Sequence, residues 1–133
     1  MRTVVFVCLH GAAKSRLAAA FFNSVAPTGW RAVSTGLEPQ EAVSELARGL
    51  AAGTQAEAHF DSAAPRLLST VTAPDLVVAI DCDVPDAVRW HLANPDGGEP
   101  MRDELADLAT ALAQQTPGAT TGSMGSWQRT DST

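Results

Sequence analysis

The sequence predicts a single α/β domain built on a parallel sheet, and three observations carry that prediction. Two short runs, Thr3–Cys8 (TVVFVC) and Asp75–Asp81 (DLVVAID), are mostly apolar and rich in β-branched residues, as expected of strands buried on both faces. Stretches with helical apolar spacing separate the strand-like runs, and strands that alternate with helices assemble into parallel sheets. The 133 residues, 45% hydrophobic and 18% charged, suffice for one folded core and not two.

The first strand passes into a loop, Leu9–Lys14, and then into a helix. Leu17, Phe21 and Val25 recur every four residues, with Ala18 and Phe22 beside them, which makes one apolar stripe. Ser15 suits the helix entrance, and Pro27 with Gly29 ends the segment. Trp30–Ser34 reads as a second strand, closed by Thr35-Gly36. Pro39 is expected to open a second helix, with Val43, Leu46, Ala47 and Leu50 on one face as far as Gly53. His59 and Phe60 read as weakly extended, and Pro65–Leu68 as the start of a short helix. After the Asp75–Asp81 strand, Asp83–Val88 is too short and Pro-broken for a helix, and Trp90–Asn94 reads as a last strand or a loop. A final helix covers Pro100–Gln115, with Leu105, Leu108 and Leu112 as its stripe. The folded domain is therefore expected to span residues 1–115. Residues 116–133, rich in Gly, Ser and Thr, are expected to form a disordered tail in which Trp127 alone could dock on something.

Charge and composition exclude several classes of function. The net charge is −6 and the chain has no basic cluster, which argues against nucleic acid and anionic membranes as partners. Two cysteines, Cys8 and Cys82, are too few for a disulfide framework and suit a reducing compartment. No stretch approaches the roughly 20 apolar residues of a spanning helix, and no signal-peptide pattern follows Met1. A soluble, cytoplasmic protein is expected, with no metal and no cofactor. The oligomeric state is left open.

The decisive stretch is strand, loop and helix: VVFVC, LHGAAK, SRLAAAFF. It puts a thiol at the C-terminal end of a parallel strand, where open α/β sheets gather their ligands. The loop ends on a helix N-terminus, whose free amides and dipole favour an anion, and successive loop amides can add a nest around it. Such a field also favours an ionised thiol, the nucleophilic form. Leu9, His10, Gly11, Ala12, Ala13, Lys14 and Ser15 are thus the candidate anion-binding residues. Lys14 is the sole lysine; the other eight basic residues are arginines.

Cys8-Leu9-His10-Gly11-Ala12-Ala13-Lys14-Ser15 resembles the C-x5-R-S phosphate loop of the low-molecular-weight protein tyrosine phosphatases. It is closer still to the related thiol-dependent arsenate reductases, whose loops often read FVC-x-HNAGRS before an Ala-rich helix. The resemblance continues through Ser34-Thr35-Gly36, Glu38-Pro39, Pro65-Arg66-Leu67, Asp75–Val78 and Trp90–Pro95, covering roughly residues 3 to 115. It implies a doubly wound, four-stranded parallel sheet flanked by helices. It also implies a mechanism in which the cysteine attacks phosphorus or arsenic, an arginine forks two oxygens, and an aspartate before a proline protonates the leaving group. Reduction of arsenate would draw on an external thiol, because no third cysteine completes an intrachain relay.

Cys8 and Ser15 match their positions in that loop, with the Ser15 hydroxyl expected to hydrogen-bond the thiolate and hold it ionised, and two other catalytic positions depart from the pattern. Lys14 stands where arginine is expected; an ammonium brings charge but cannot clamp two oxygens in one plane. Asn94-Pro95 occupies the Asp-Pro position, and an amide delivers no proton. His91, Asp96 and Glu99 are alternative donors that spacing does not separate. Only seven residues separate Cys82 from Trp90, so part of a pocket wall is expected to be missing. Arg16, two residues beyond Lys14, is expected to point away from the loop. Ser15 as a helix cap and Cys82 as packing each need no further role. Both departures weaken chemistry more than binding. The expected function is therefore oxyanion binding (phosphate, sulfate, arsenate or a phosphorylated group) with weak or no catalysis. The alternative is an active cysteine-dependent phosphatase or arsenate reductase, and restoring Lys14→Arg with Asn94→Asp is expected to raise phosphatase turnover.

Overall fold

A computed structural model describes residues 1–116; residues 117–133 of the predicted tail, Trp127 among them, lie outside the described residues, whereas Thr116 is buried at the end of the last helix, its amide donating to the Leu112 carbonyl. Four strands, β1 (Arg2–Cys8), β2 (Trp30–Gly36), β3 (Leu76–Ile80) and β4 (Val88–Trp90), form one parallel sheet in the order β2-β1-β3-β4. That order reverses direction at β1, which makes the C-terminal end of β1 the switch point of a doubly wound sheet. The α/β class and strand number follow the sequence reading.

Strand residues alternate between two packed layers. Val4, Phe6 and Cys8 of β1, with Ala32, Val78, Ile80, Val88 and Trp90, face the helices α1 (Lys14–Val25), α2 (Glu45–Ala51) and α3 (Glu99–Gln115). Phe6 is the hinge of this core, with its ring 6.1 Å from Phe22 and 5.4 Å from Trp90. Leu17, Phe22 and Leu105 are fully buried here, each contributing about 1.5–3 kcal/mol of apolar burial. Val5, Val7 and Ala79 face the other way, under Val84, Ala87, Leu68 and Val71. The cover on this second face is short 3-10 turns and loops, not helix.

The thin cover has a specific cause. Parallel neighbours normally need a dozen or more residues to cross over, yet β3 and β4 are joined by residues 81–87 alone. The link works because β4 is three residues long, pairing only with Val78–Ile80. Asp81 and Asp86 take positive φ values of 52° and 64°, turning the chain back on itself. Val84 and Ala87 then do the burying that a crossover helix would otherwise do.

Several expected boundaries move. The second helix starts at Glu45, with the Ser44 hydroxyl accepting the Ala47 N–H as its cap, not at Pro39. Residues 37–44 stay irregular because their amides are committed elsewhere, as shown below. The last strand is Val88–Trp90, not Trp90–Asn94; Val88 and Trp90 alternate into the core around exposed Arg89. Of the expected extended pair, Phe60 is extended but His59 closes a 3-10 turn over Glu57–His59, and the expected helix from Pro65 is a 3-10 turn over Leu68–Thr70. Leu67 is held beside Gly36 in an isolated parallel bridge, which keeps that stretch from coiling earlier.

Candidate anion site

The loop after β1 is shaped by where its carbonyls go. Six consecutive carbonyls are taken by partners outside the curve: Cys8 by the Leu37 amide (3.2 Å), Leu9 by Glu38 (2.7 Å), His10 by Gln40 (3.3 Å), Gly11 by Arg16 Nε (3.0 Å), Ala12 by Ser44 (3.1 Å) and Ala13 by Leu17 (2.9 Å). In a trans peptide the next residue's N–H points opposite to the carbonyl. The amides of Leu9 to Lys14 are therefore turned to the inner side. The Ser15 amide, next in line, points at Cys8 Sγ at 3.4 Å. The result is a cup of N–H groups with a sulfur at its floor, and the cup rests on the positive end of α1.

Two glycines allow the curve to close. Gly11 has φ +65°, open to glycine without strain. A Cβ on Gly11 would lie 2.8 Å from the Gly36 nitrogen, and one on Gly36 would lie 2.6 Å from the Gly11 nitrogen. The loop and the end of β2 thus touch backbone to backbone, and neither position admits a side chain.

Cys8 is 6% exposed and lines a cavity of about 390 Å³ with Leu9, His10, Ala12, Ala13 and Lys14. Its thiol donates to the Ser15 hydroxyl at 3.2 Å, and that hydroxyl donates to the Thr35 carbonyl at 3.1 Å, so it neither caps α1, whose N-cap is Ala13, nor donates to the sulfur as the sequence suggested. Of the predicted residues, Gly11 backs the curve and Ser15 lies beneath the sulfur. The sheet places Cys82 in the opposite layer, its Sγ 3.5 Å from the Val7 carbonyl. Burial, followed by repulsion from Cys8, pushes the Cys82 thiol up.

Asn94 is not brought to the cup. It is exposed and tied to α3, its amide and Nδ2 both donating to Glu104 Oε1 at 2.8 and 3.2 Å. The Ala93 amide binds the other Glu104 oxygen at 2.8 Å, and these bonds hold the Glu104 carboxyl below its ordinary pKa. His91 and Glu99 do not line the cavity either. Asp96 belongs to a neighbouring apolar hollow of about 280 Å³ that shares Ala13 and Lys14 with it.

Sequence reasoning missed two residues that matter here. Asp81, at the end of the third strand, puts Oδ2 2.8 Å from Lys14 Nζ, with the two side chains 23% and 25% exposed. The signal was the acidic end of DLVVAID, because β3 lies beside β1 and ends at the same edge. Arg16 does point away from the cup's interior, yet it is only 1% exposed and holds the loop from behind. Besides Gly11, its Nη1 donates to the Asp61 carbonyl at 2.6 Å. Burial lowers its pKa from the ordinary value. Among the described residues, no group of three or more His, Cys, Asp or Glu side chains could hold a metal, and no helix is long and apolar enough to cross a membrane.

The sheet order and the cysteine loop at its switch point place the chain among the open α/β proteins that gather ligands at their strand ends. The model of the low molecular weight phosphotyrosine protein phosphatases matches residues 3–97, and the chain belongs to that family. An arsenate reductase from Archaeoglobus fulgidus is 31% identical, with a TM-score of 0.68 over 84% of this chain and 99% of that one. The thioredoxin-dependent arsenate reductase of Corynebacterium glutamicum shares the fold at 21% identity and TM-score 0.68, over 86% of this chain and 61% of its own. The low molecular weight protein tyrosine phosphatase of T. tengcongensis does so at 18% identity and TM-score 0.63, over 87% and 100%. A comparison with the curated proteins finds no match.

Proposed function

We propose that the chain binds a tetrahedral oxyanion, free or as a phosphorylated group, over Cys8 and turns it over slowly or not at all. The observation that carries this reading is the run of six outward carbonyls, because it leaves the intervening amides turned towards the sulfur. Rigid, preoriented donors bind an oxyanion without reorganisation. The parts that chemistry needs are weaker. The Lys14 ammonium is engaged by Asp81 and has no planar fork. Asn94, at the position where the resemblance implies an acid, is held by Glu104 away from the cavity. The Ser15 amide, which donates to Cys8 Sγ at 3.4 Å, favours a residual alternative, slow cysteine-dependent phosphate ester hydrolysis or thiol-coupled arsenate reduction in the cytoplasm.

Millimolar phosphate or arsenate should raise the melting temperature of the chain. Hydrolysis of p-nitrophenyl phosphate should be slow, and Cys8→Ser should remove whatever hydrolysis there is while leaving anion protection in place. Melting that is indifferent to both anions would overturn the reading.

A further inference from the structure

We propose that Asp81 selects which oxyanion the cup accepts, favouring one that carries a proton, such as phosphate or arsenate, over the fully deprotonated sulfate. The inference rests on the oxyanion reading above and narrows it.

Among the described residues, Asp81 is the sole carboxylate lining the Cys8 cavity, alongside Lys14, the one lysine or arginine there. It is held in place from three directions. Its amide donates to the Trp90 carbonyl at 2.9 Å, Oδ1 accepts the Leu92 amide at 3.0 Å, and Oδ2 accepts Lys14 Nζ at 2.8 Å. Swinging the carboxylate out of the way would break the last two bonds together. The backbone at Asp81, with φ +52°, gives no slack either.

The consequence for a ligand is one of lone pairs. The Lys14 charge that would draw a dianion is matched by the Asp81 charge beside it, so attraction comes mainly from the amides. An ionised carboxylate only accepts hydrogen bonds. An oxyanion oxygen that reaches Lys14 also meets Oδ2, and two acceptors face each other unless one of them bears hydrogen. At pH 7.5 phosphate and arsenate both carry an O–H that can donate to Asp81, whereas sulfate carries none. Among the described residues, no basic side chain other than His10 and Lys14 lines the cavity. Arg16 is turned to Gly11 and Asp61 behind the loop, and Arg89 is paired with Asp83 at 2.6 Å. Leaving an acceptor unpaired against a like charge is costly, and a partly exposed pair moderates that cost to about tenfold in affinity.

The test is calorimetric titration of the full chain with sodium phosphate and with sodium sulfate at pH 7.5 and matched ionic strength. Phosphate is expected to bind the wild type at least about tenfold more tightly than sulfate. In Asp81→Asn, whose side-chain amide can donate to either anion, the preference should fall to within about twofold, mainly through tighter sulfate binding. Asp81→Gly, which suits the positive φ, should show the same loss of preference and serves if the asparagine variant melts abnormally without anion. Equal binding of both anions by the wild type overturns the proposal and leaves the oxyanion reading standing, as does a variant that keeps the wild-type preference. Absence of phosphate and sulfate binding in the wild type and both variants overturns the oxyanion reading and the selection with it.

Discussion

Gly36→Ala is the sharpest perturbation of the cup that replaces none of the residues supplying its donors. The new methyl carbon would lie 2.6 Å from the Gly11 nitrogen and 2.7 Å from the His10 carbonyl carbon. Ordinary contact begins near 3.4 Å, so the loop and β2 must part by about 0.8 Å. The opposing atoms are backbone, which cannot swivel aside as a side chain would. The cost belongs at the upper end of overpacking, about 3 kcal/mol. For a folded unit of this size that is a fall in melting temperature of about 10 °C. The same displacement carries the His10 and Gly11 amides out of register with an oxyanion, and phosphate affinity should fall about tenfold or more. Gly49→Ala is the internal control. It lies in α2 with nothing within 4 Å of its added Cβ, so it should stabilise by about 0.5–1 kcal/mol and leave binding alone. Differential scanning fluorimetry with and without phosphate reads both effects. A Gly36→Ala protein that melts within about 2 °C of wild type and binds phosphate equally would refute the close backbone contact.

Three further expectations concern the supports of the cup. Arg16→Met should cost about 2–4 kcal/mol in urea denaturation, because it strips a donor from the buried Gly11 carbonyl and from the part-buried Asp61 carbonyl. Asn94→Asp should slightly destabilise by placing a second negative charge on Glu104, and it should add no p-nitrophenyl phosphate hydrolysis even with Lys14→Arg. This expectation, argued from where Asn94 sits, is the opposite of the gain that the resemblance implies, and the same assay decides between them. Acid should destabilise the fold through two carboxylates. Burial works to raise the Asp61 carboxyl, but the Ala63 amide and Arg66 outweigh it, and the Ala93 and Asn94 amides lower Glu104. Both are depressed in the folded state, so their stabilisation is present above the unfolded carboxylate range and is lost as pH falls below about 4. Asp61→Asn with Glu104→Gln should flatten that acid limb of a pH–melting curve.

Much of this fold was legible because its strongest signals were local. TVVFVC and DLVVAID are too apolar to be anything but interior strands, and the stripe through Leu17 and Phe21 could only be a buried helix face. Cys8, Ser15 and the loop between them stood out because a strand end followed at once by a helix is itself a physical arrangement. What stayed hidden depends on contacts between distant residues. The apolar spacing from Val43 to Leu50 suggested a helix from Pro39, but the amides of Glu38, Gln40 and Ser44 bind loop carbonyls about thirty residues earlier. Arg16 reads as a surface cation until the Asp61 segment folds over it. Asp81 carries no motif, and its meaning appears only when β3 settles beside β1.

The bonds from residues 37–44 to the first loop also decide how the molecule breathes. Leu37, Glu38, Gln40 and Ser44 can release their partners only if the stretch leading into α2 lifts, and lifting it frees the carbonyls that keep the loop curved. The two segments are one cooperative opening unit. Their amide protons should exchange with solvent at a shared rate, and whatever anchors the second crossover sets the lifetime of the first.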